Sequence, residues 1–388
     1  MKILFILSRF PYPLDKGDKL RAYHQIKNLS KQHEVTLFSL NDSKLTNEAI
    51  AHVKQYCSHL EVHNLSKFQI ALNLLKALFN RLPLQVAYFY SQKAQNKLNQ
   101  LIVAQKPDHI ICQLIRTAEY VKHISNVPKT LDYMDVFSKG TERRVSSAPF
   151  YMSPLLKMEH RRLAAYENHI FSYFTNLVII SEQDRNLIQH PEKLKISIIS
   201  NGVDTDYFKP IQHKKEYDIL FNGNMQYPPN IEGAEYLVNK ILPLVKKTHP
   251  TVKVLISGTN PNKRVLSLAS EHVTVSGWVN DIRENFARSK MLVAPMFLSI
   301  GLQNKLLEAM AMQIPCVTST LANNALGAEN GKNILVADTP EQYAEHINAL
   351  LTNEKKANEI ALNAYNFVLA NYQWQQETEK LENLITAK

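Results

Sequence analysis

Lys305 and Glu308 stand three residues apart in the run Gly301-Leu302-Gln303-Asn304-Lys305-Leu306-Leu307-Glu308-Ala309-Met310-Ala311. On a helix, that spacing puts both charges on one face. The pattern around them predicts a strand ending at Pro295, a loop carrying Gly301, and a helix beginning near Leu302 or Gln303. Unpaired N–H groups and the positive end of the dipole at such a helix start suit a diphosphate. A lysine there neutralises phosphate charge, and a carboxylate accepts a pair of ribose hydroxyls. The plain alternative is an exposed i,i+3 ion pair. The glycine loop and the following Pro315-Cys316-Val317 strand argue for the ligand site.

A second candidate lies near the start of the chain. The run Leu7-Ser8-Arg9-Phe10 is expected to end the first strand, and the turn after it carries Gly17 just before a helix. Glycine there lets a phosphate or sugar approach the backbone closely, although a plain loop glycine fits as well. The turn is not G-x-G-x-x-G, so a dinucleotide dehydrogenase lacks its main support. The fourteen histidines form no H-x3-H or H-E-x-x-H cluster, and no metal site is expected. Asp204-Thr205-Asp206 imitates a D-x-D metal motif, but its place in a turn gives Asp a conformational role. No G-x-S-x-G nucleophile motif occurs.

These residues need a frame, and the hydrophobic pattern supplies one. Short apolar runs alternate with helical stretches, as in parallel α/β folds. Expected strands are Lys2–Leu7, Glu34–Ser39, His109–Cys112, Thr130–Asp132, Leu177–Ile180 and Ile196–Ile199. A second series runs Tyr217–Phe221, Val252–Ser257, Val273–Val275, Met291–Ala294, Cys316–Thr318 and Ile334–Val336. The turn Ser200–Asp204 and the polar stretch Gln212–Glu216 separate the series. Two Rossmann-like domains follow, 1–210 and 211–370, and 371–388 forms a helix that packs back on the first. In such sheets ligands sit beyond the carboxyl ends of the strands.

The formal charge of +10 is unevenly spread. Residues 1–200 hold 27 Lys and Arg against 16 Asp and Glu, and the remainder hold 18 against 19. The basic half suits anionic lipid or an anionic acceptor. Nucleic acid is not expected, because no basic helix, aromatic RNA motif or zinc finger accompanies the charge. Phe68–Leu84 is apolar on nearly every face, with Lys67, Lys76 and Arg81 around it. Such a segment either docks on anionic lipid or forms an internal helix beneath the first domain. Three scattered cysteines fit a reducing compartment. The opening apolar run is too short for a signal peptide, and no run reaches the length of a spanning helix. A cytoplasmic protein is expected, peripheral at the inner face of the membrane.

Taken together, Ala294–Val317 resembles the donor-binding stretch of glycosyltransferase family 4. Ile199–Phe208, Ser276-Gly277-Trp278-Val279-Asn280-Asp281 and the Gly17 loop agree with that family in order and spacing. Asp15–Asp18, Asp132-Tyr133-Met134-Asp135 and Gln303–Met310 are most similar to sugar transferases of exopolysaccharide clusters. The resemblance implies an α/β GT-B fold: two Rossmann-like domains, a donor/acceptor cleft between them, and the crossing C-terminal helix. It implies a retaining, metal-independent hexosyl transfer from a UDP- or GDP-sugar donor to a saccharide or lipid-linked acceptor, with no other cofactor. The donor-binding residues carried over are Gly17, Gly223, Asn224, Gly258, Trp278, Gly301, Leu302, Gln303, Asn304, Lys305 and Glu308. Lys305, Glu308, Arg116 and Asp135 are the catalytic candidates.

Three positions depart from the family. Ile300 stands where its first glutamate contacts the donor sugar, so Glu308 matches only the second. The Arg-x4-Lys pair is replaced by Phe221-Asn222-Gly223-Asn224-Met225-Gln226-Tyr227-Pro228-Pro229-Asn230, which leaves Lys305 to supply the cation. No histidine follows the strand ending at Cys112, where Arg116 and Thr117 stand instead. A non-catalytic nucleotide-sugar-binding GT-B partner subunit and a GT-B sugar-nucleotide epimerase are the alternatives.

Overall fold

The computed structural model describes residues 1–297 and 301–387, so Ile300 lies outside the described residues. Two compact units emerge. One is Met1–Ser200 with the closing helix Trp374–Thr386, and the other is Asn201–Gln373. The second unit therefore begins before the break expected at 210. Backbone bonding sets the change: Ser200 N donates to Glu377 Oε2 at 2.7 Å within the first unit. Val203 N donates to Tyr372 O at 2.8 Å within the second. The polar run Gln212–Glu216 marks an exposed loop, not the boundary.

The first unit is built on β1 (Lys2–Leu7), β2 (Glu34–Asn41), β3 (His59–Asn64), β4 (His109–Gln113), β5 (Lys129–Asp132), β6 (Asn176–Ile179) and β7 (Ser197–Ile198). They form one parallel sheet in the order β3-β2-β1-β4-β5-β6-β7. Central β1 is apolar from Ile3 to Leu7 because both its faces are covered there. Alternation along it divides the core: Leu4 and Ile6 join Phe38, Ile110 and Leu131. Ile3, Phe5 and Leu7 join Leu37, Ile111 and Val178 on the other face. Strand β3 was not among the expected strands. Its sequence, His-Leu-Glu-Val-His-Asn, lacks an apolar run because it is an edge strand whose residues are half-buried or exposed.

The closing helix belongs to this core. Trp374, Thr378, Leu381 and Ile385 fall on one helical stripe and are buried. Leu381 and Ile385 cover the face carrying Ile3, Phe5 and Leu7. Trp374 stacks on His24 with ring centroids 4.8 Å apart. By contrast, helix Lys67–Phe79 buries only Ala77, so the alternative of an internal helix fails. No helix among the described residues is long and apolar enough to cross a membrane.

The second unit contains β8 (Tyr217–Asn222), β9 (Val254–Ser257), β10 (Val273–Gly277), β11 (Ser289–Ala294), β12 (Cys316–Thr318) and β13 (Leu335–Val336). They also run parallel, in the order β10-β9-β8-β11-β12-β13. Strand order reverses at β1/β4 in one unit and at β8/β11 in the other. Each reversal opens a crevice at the carboxyl edge of its sheet.

One buried ion pair ties three elements of the first unit together. Arg21, on helix Gly17–Leu29, is fully buried. Its Nε donates to Asp132 Oδ2 at 2.5 Å, and Nη1 donates to Ser200 O at 3.1 Å. Asp132→Ala should therefore destabilise the protein by about 3–5 kcal/mol in urea unfolding, because it removes the carboxylate from a buried guanidinium. A loss below about 1 kcal/mol would show that the pair does not hold these elements together.

Candidate functional site

The carboxyl edge of the second sheet brings several candidates together. Strand β8 ends at Asn222, and β9 ends at Ser257, so Gly223 and Gly258 leave the sheet side by side. A Cβ on Gly258 would lie 1.7 Å from Gly223 O. A Cβ on Gly223 would lie 2.7 Å from Asn230 Nδ2 and 3.1 Å from Lys305 Nζ. Neither position has room for a side chain. Asn224 O accepts a hydrogen bond from Asn230 Nδ2 at 3.0 Å, which fixes the loop against helix Pro228–Tyr236.

Lys305 reaches this loop from helix Asn304–Ala311. It is only 8% exposed, and its Nζ donates to Asn230 Oδ1 at 2.8 Å. The ammonium lies 4.7 Å from the Phe221 ring centroid and 3.9 Å from Met296 Sδ. Among the described residues no carboxylate lies within ion-pair distance of it, so the exposed i,i+3 pair with Glu308 is not formed. Burial pushes the Lys305 ammonium down from 10.5 to about 7, against the opposing pull of the Glu308 charge. Burial likewise pushes the Glu308 carboxyl up to about 7, with Lys305 opposing. Asn222 Oδ1, also buried at this edge, has no hydrogen-bond partner.

The helix start lies beside the same lysine. Gly301 holds φ at +87°, a left-handed conformation that glycine adopts without strain. Gln303 is the N-cap residue, but its side chain does not cap the helix. Its Nε2 donates back to Gly301 O at 3.1 Å. Asn304 Oδ1 accepts from Asn201 Nδ2 at 3.2 Å, and Leu302 is half-buried. Trp278 follows β10 and is largely exposed. Asp204 Oδ1 accepts from Tyr207 N at 3.1 Å, the local geometry of a turn aspartate.

The remaining candidates belong to the first unit. Gly17 is exposed at the first position of its helix, beside the Lys19–Asp15 ion pair. Arg116 follows β4 and lies over two rings, 5.0 Å from the Phe89 centroid and 4.6 Å from that of Phe137. Its Nη2 donates to Gln85 Oε1 at 2.8 Å, and its Nε has no partner. Burial, with the neighbouring Arg9 charge, pulls this guanidinium down to about 10. Asp135 Oδ1 is buried without a hydrogen-bond partner, and burial raises its carboxyl while Val136 N–H, Arg143 and Arg116 oppose the shift. Thr117 turns inward, its hydroxyl donating to Gln113 O and Leu114 O.

The structure thus clusters Gly223, Asn224, Gly258 and Lys305, with Gly301–Asn304 and Glu308 on the adjoining helix start. Sequence reasoning missed Asn230, Phe221 and Met296 as neighbours of Lys305, and Arg9 as a neighbour of Arg116. Asn230 lies 75 positions from Lys305 in the chain, and no local pattern encodes such a contact.

The Lys305 shift has a measurable consequence. A lysine whose folded-state value is depressed opposes folding at low pH and ceases to do so as pH rises toward the unfolded value. Stability of the parent should therefore rise relative to Lys305→Met between about pH 7 and about pH 10. Urea midpoints across that range measure it, and parallel profiles for the two proteins would contradict the buried-charge assignment.

Comparison with known proteins follows the same division. Residues 216–353 match the family model described as glycosyl transferases group 1. The chain is 23% identical over 402 residues to an uncharacterized 44.6 kDa protein in the cps region of Klebsiella pneumoniae, covering 96% of each. It is 23% identical over 239 residues to the UDP-Gal:alpha-D-GlcNAc-diphosphoundecaprenol alpha-1,3-galactosyltransferase of Escherichia coli, covering 54% of this chain and 59% of that one. The fold is similar to that of Anabaena HepE in complex with UDP and glucose, with a TM-score of 0.71, 15% identity and full coverage of both chains. The second unit accordingly contains a stretch that matches glycosyl transferases group 1, and the chain has the GT-B fold.

Proposed function

We propose that this enzyme moves a sugar from a UDP-sugar to a saccharide or lipid-linked acceptor, with retention of configuration and without a metal ion. The observation that carries the reading is the buried Lys305 ammonium against the Gly223 loop, beside the start of helix Asn304–Ala311. Departure of a nucleotide leaves positive charge on the sugar and negative charge on the diphosphate. Lys305 and the amide dipoles of the helix start would stabilise that diphosphate, and the two glycines allow it close to the backbone. A lysine whose ammonium burial has pushed down to about 7 is favoured in its charged form when an anion arrives. Glu308, half-buried on the same helix, would accept the ribose hydroxyls.

UDP is favoured over GDP because HepE binds UDP and the Escherichia coli relative takes UDP-Gal. That relative acts on a diphosphoundecaprenol-linked sugar, and the Klebsiella relative lies in a cps region. Both support a lipid-linked or polysaccharide acceptor. Arg116 and Asp135, at the carboxyl edge of the first sheet, are the residues assigned to it. In a retaining transfer the leaving phosphate oxygen takes the proton of the attacking hydroxyl on the same face of the sugar. No separate general base is then required. Lys305 takes over the cationic role for which the loop after β8 has no Arg or Lys.

Lys305→Ala and Glu308→Ala should each weaken UDP binding about ten-fold or more, since each removes a charge-assisted hydrogen bond worth roughly 1.5–3 kcal/mol. Calorimetric titration with UDP measures this, and unchanged affinity in both variants would refute the donor assignment. Incubation with UDP-sugars should release UDP only when an acceptor is present. Release of UDP with formation of a free epimerised sugar would instead identify an epimerase.

A further inference from the structure

The first unit carries two exposed apolar segments that lie far apart in sequence. Helix Lys67–Phe79 presents Phe68 at 79% exposure and Phe79 at 87%, with Leu75 and Leu78 also exposed. The turn between helices Phe137–Ser147 and Ser153–His169 presents Phe150 at 89% exposure, followed by exposed Tyr151, Met152 and Leu155. Large aromatic side chains left this open are not accounted for by the core of either unit.

The two segments are held together. Glu159, a buried carboxylate on helix Ser153–His169, accepts from Leu84 N at 2.8 Å and Gln85 N at 3.0 Å. One turn further along, Arg162 donates to Ala77 O and, at 3.2 Å, to Leu78 O. Those carbonyls end the helix that carries Phe79. Leu155 precedes Glu159 by four residues, about one turn or ~6 Å along the axis. The end of the helix that carries Leu78 and Phe79 is therefore tied to the helix that follows Phe150.

Charge selects the occupant. Residues 67–84 contain no Asp or Glu, and neither do residues 143–158. Lys67, Lys76 and Arg81 are exposed on the first segment, and Lys157 and Arg161 on the second. A protein partner's interface core is ordinarily depleted in lysine. Aromatic and aliphatic side chains among Lys and Arg, without acids, match the boundary between anionic headgroups and acyl chains. Long basic side chains there keep their charge at the headgroups while their stems cover apolar surface. We propose that these two segments form one docking surface for an anionic lipid bilayer. The first unit is then held at the membrane by insertion of Phe68, Phe79 and Phe150 among the headgroups. This surface is independent of the donor-site reading, because no residue in it belongs to the second unit.

Co-sedimentation with vesicles tests it. The full chain should sediment with phosphatidylcholine vesicles containing phosphatidylglycerol, and not with phosphatidylcholine alone. Binding should fall as the Debye length shrinks from about 10 Å at 0.1 M salt to about 3 Å at 1 M. Lys67→Gln, Lys76→Gln and Arg81→Gln together should lower the partition coefficient about 100-fold. Phe150→Ser with Tyr151→Ser, in the segment the sequence does not flag, should lower it at least about 10-fold. UDP affinity and thermal unfolding, unchanged in both variants, establish that the donor site and the fold are intact. Equal binding to neutral vesicles, no binding to either kind, or full binding by the Phe150/Tyr151 variant would overturn the proposal. So would a dimer in sedimentation equilibrium that the same variant abolishes, since a second copy would then cover the surface.

Discussion

A cation held away from water governs the arrangement of the second unit. An unpaired ammonium in an apolar site is destabilising by several kcal/mol unless a partner offsets it or it gives up its proton. Lys305 has an aromatic ring, one amide oxygen and a thioether around its Nζ, and no carboxylate among the described residues. The depressed ammonium is the physical record of that shortage. On the proposed donor reading, an incoming diphosphate would provide the missing counter-charge and so relieve a cost already present in the folded protein. The same logic explains the raised Glu308 carboxyl, whose nearest compensating charge is the lysine one turn before it.

Everything adjoining the lysine is shaped by its approach. Gly223 is small because Asn230 and the ammonium occupy the space of its side chain, and Gly258 is small because Gly223 does. Gly233 follows the same rule one layer below: a Cβ there would lie 3.0 Å from Pro295 O and 3.1 Å from the Phe221 ring. Helix Pro228–Tyr236 can therefore seat Asn230 against Lys305 while resting on the ring beneath it. A parallel sheet whose strand order reverses at β8/β11 leaves this corner uncovered at its carboxyl edge.

The first unit solves a different problem. Its sheet also has two apolar faces, and one of them is completed by a helix that arrives only after the second unit has been traversed. Glu377 and Trp374 anchor that helix at Ser200 and His24, and Arg21 and Asp132 lock the neighbouring elements. With the core closed from that side, the aromatic side chains of Lys67–Phe79 and of the Phe150 turn remain outside it. Their exposure is a property of the finished unit: Ala77 is the one residue of the helix carrying Phe79 that is fully buried.

Local patterning carried much of the architecture. Period-two alternation and continuous apolar runs located β1, β2, β4 and β8 almost to the residue, because strands buried on both faces must be apolar along their whole length. The closing helix was expected over 371–388, and its buried stripe Trp374, Thr378, Leu381, Ile385 repeats every three to four positions, as a helix that covers a core must. The glycine loop and the Lys305–Glu308 spacing marked the corner of the second sheet for the same reason: their constraints act over a few residues. Strand β3 escaped notice because an edge strand has no apolar run to betray it. The contact of Lys305 with Asn230, the pairing of Arg21 with Asp132, and the bonding of Arg162 to the end of helix Lys67–Phe79 were invisible for another reason. Each joins residues far apart in the chain, and neither propensity nor periodicity records which side chain closes onto which. Burial, and with it the depressed Lys305 ammonium, arises only when distant elements exclude water together. Local spacing thus sets the elements and the residue types at their ends, while the closure of distant elements sets which charges lose their solvent and which aromatic rings keep it.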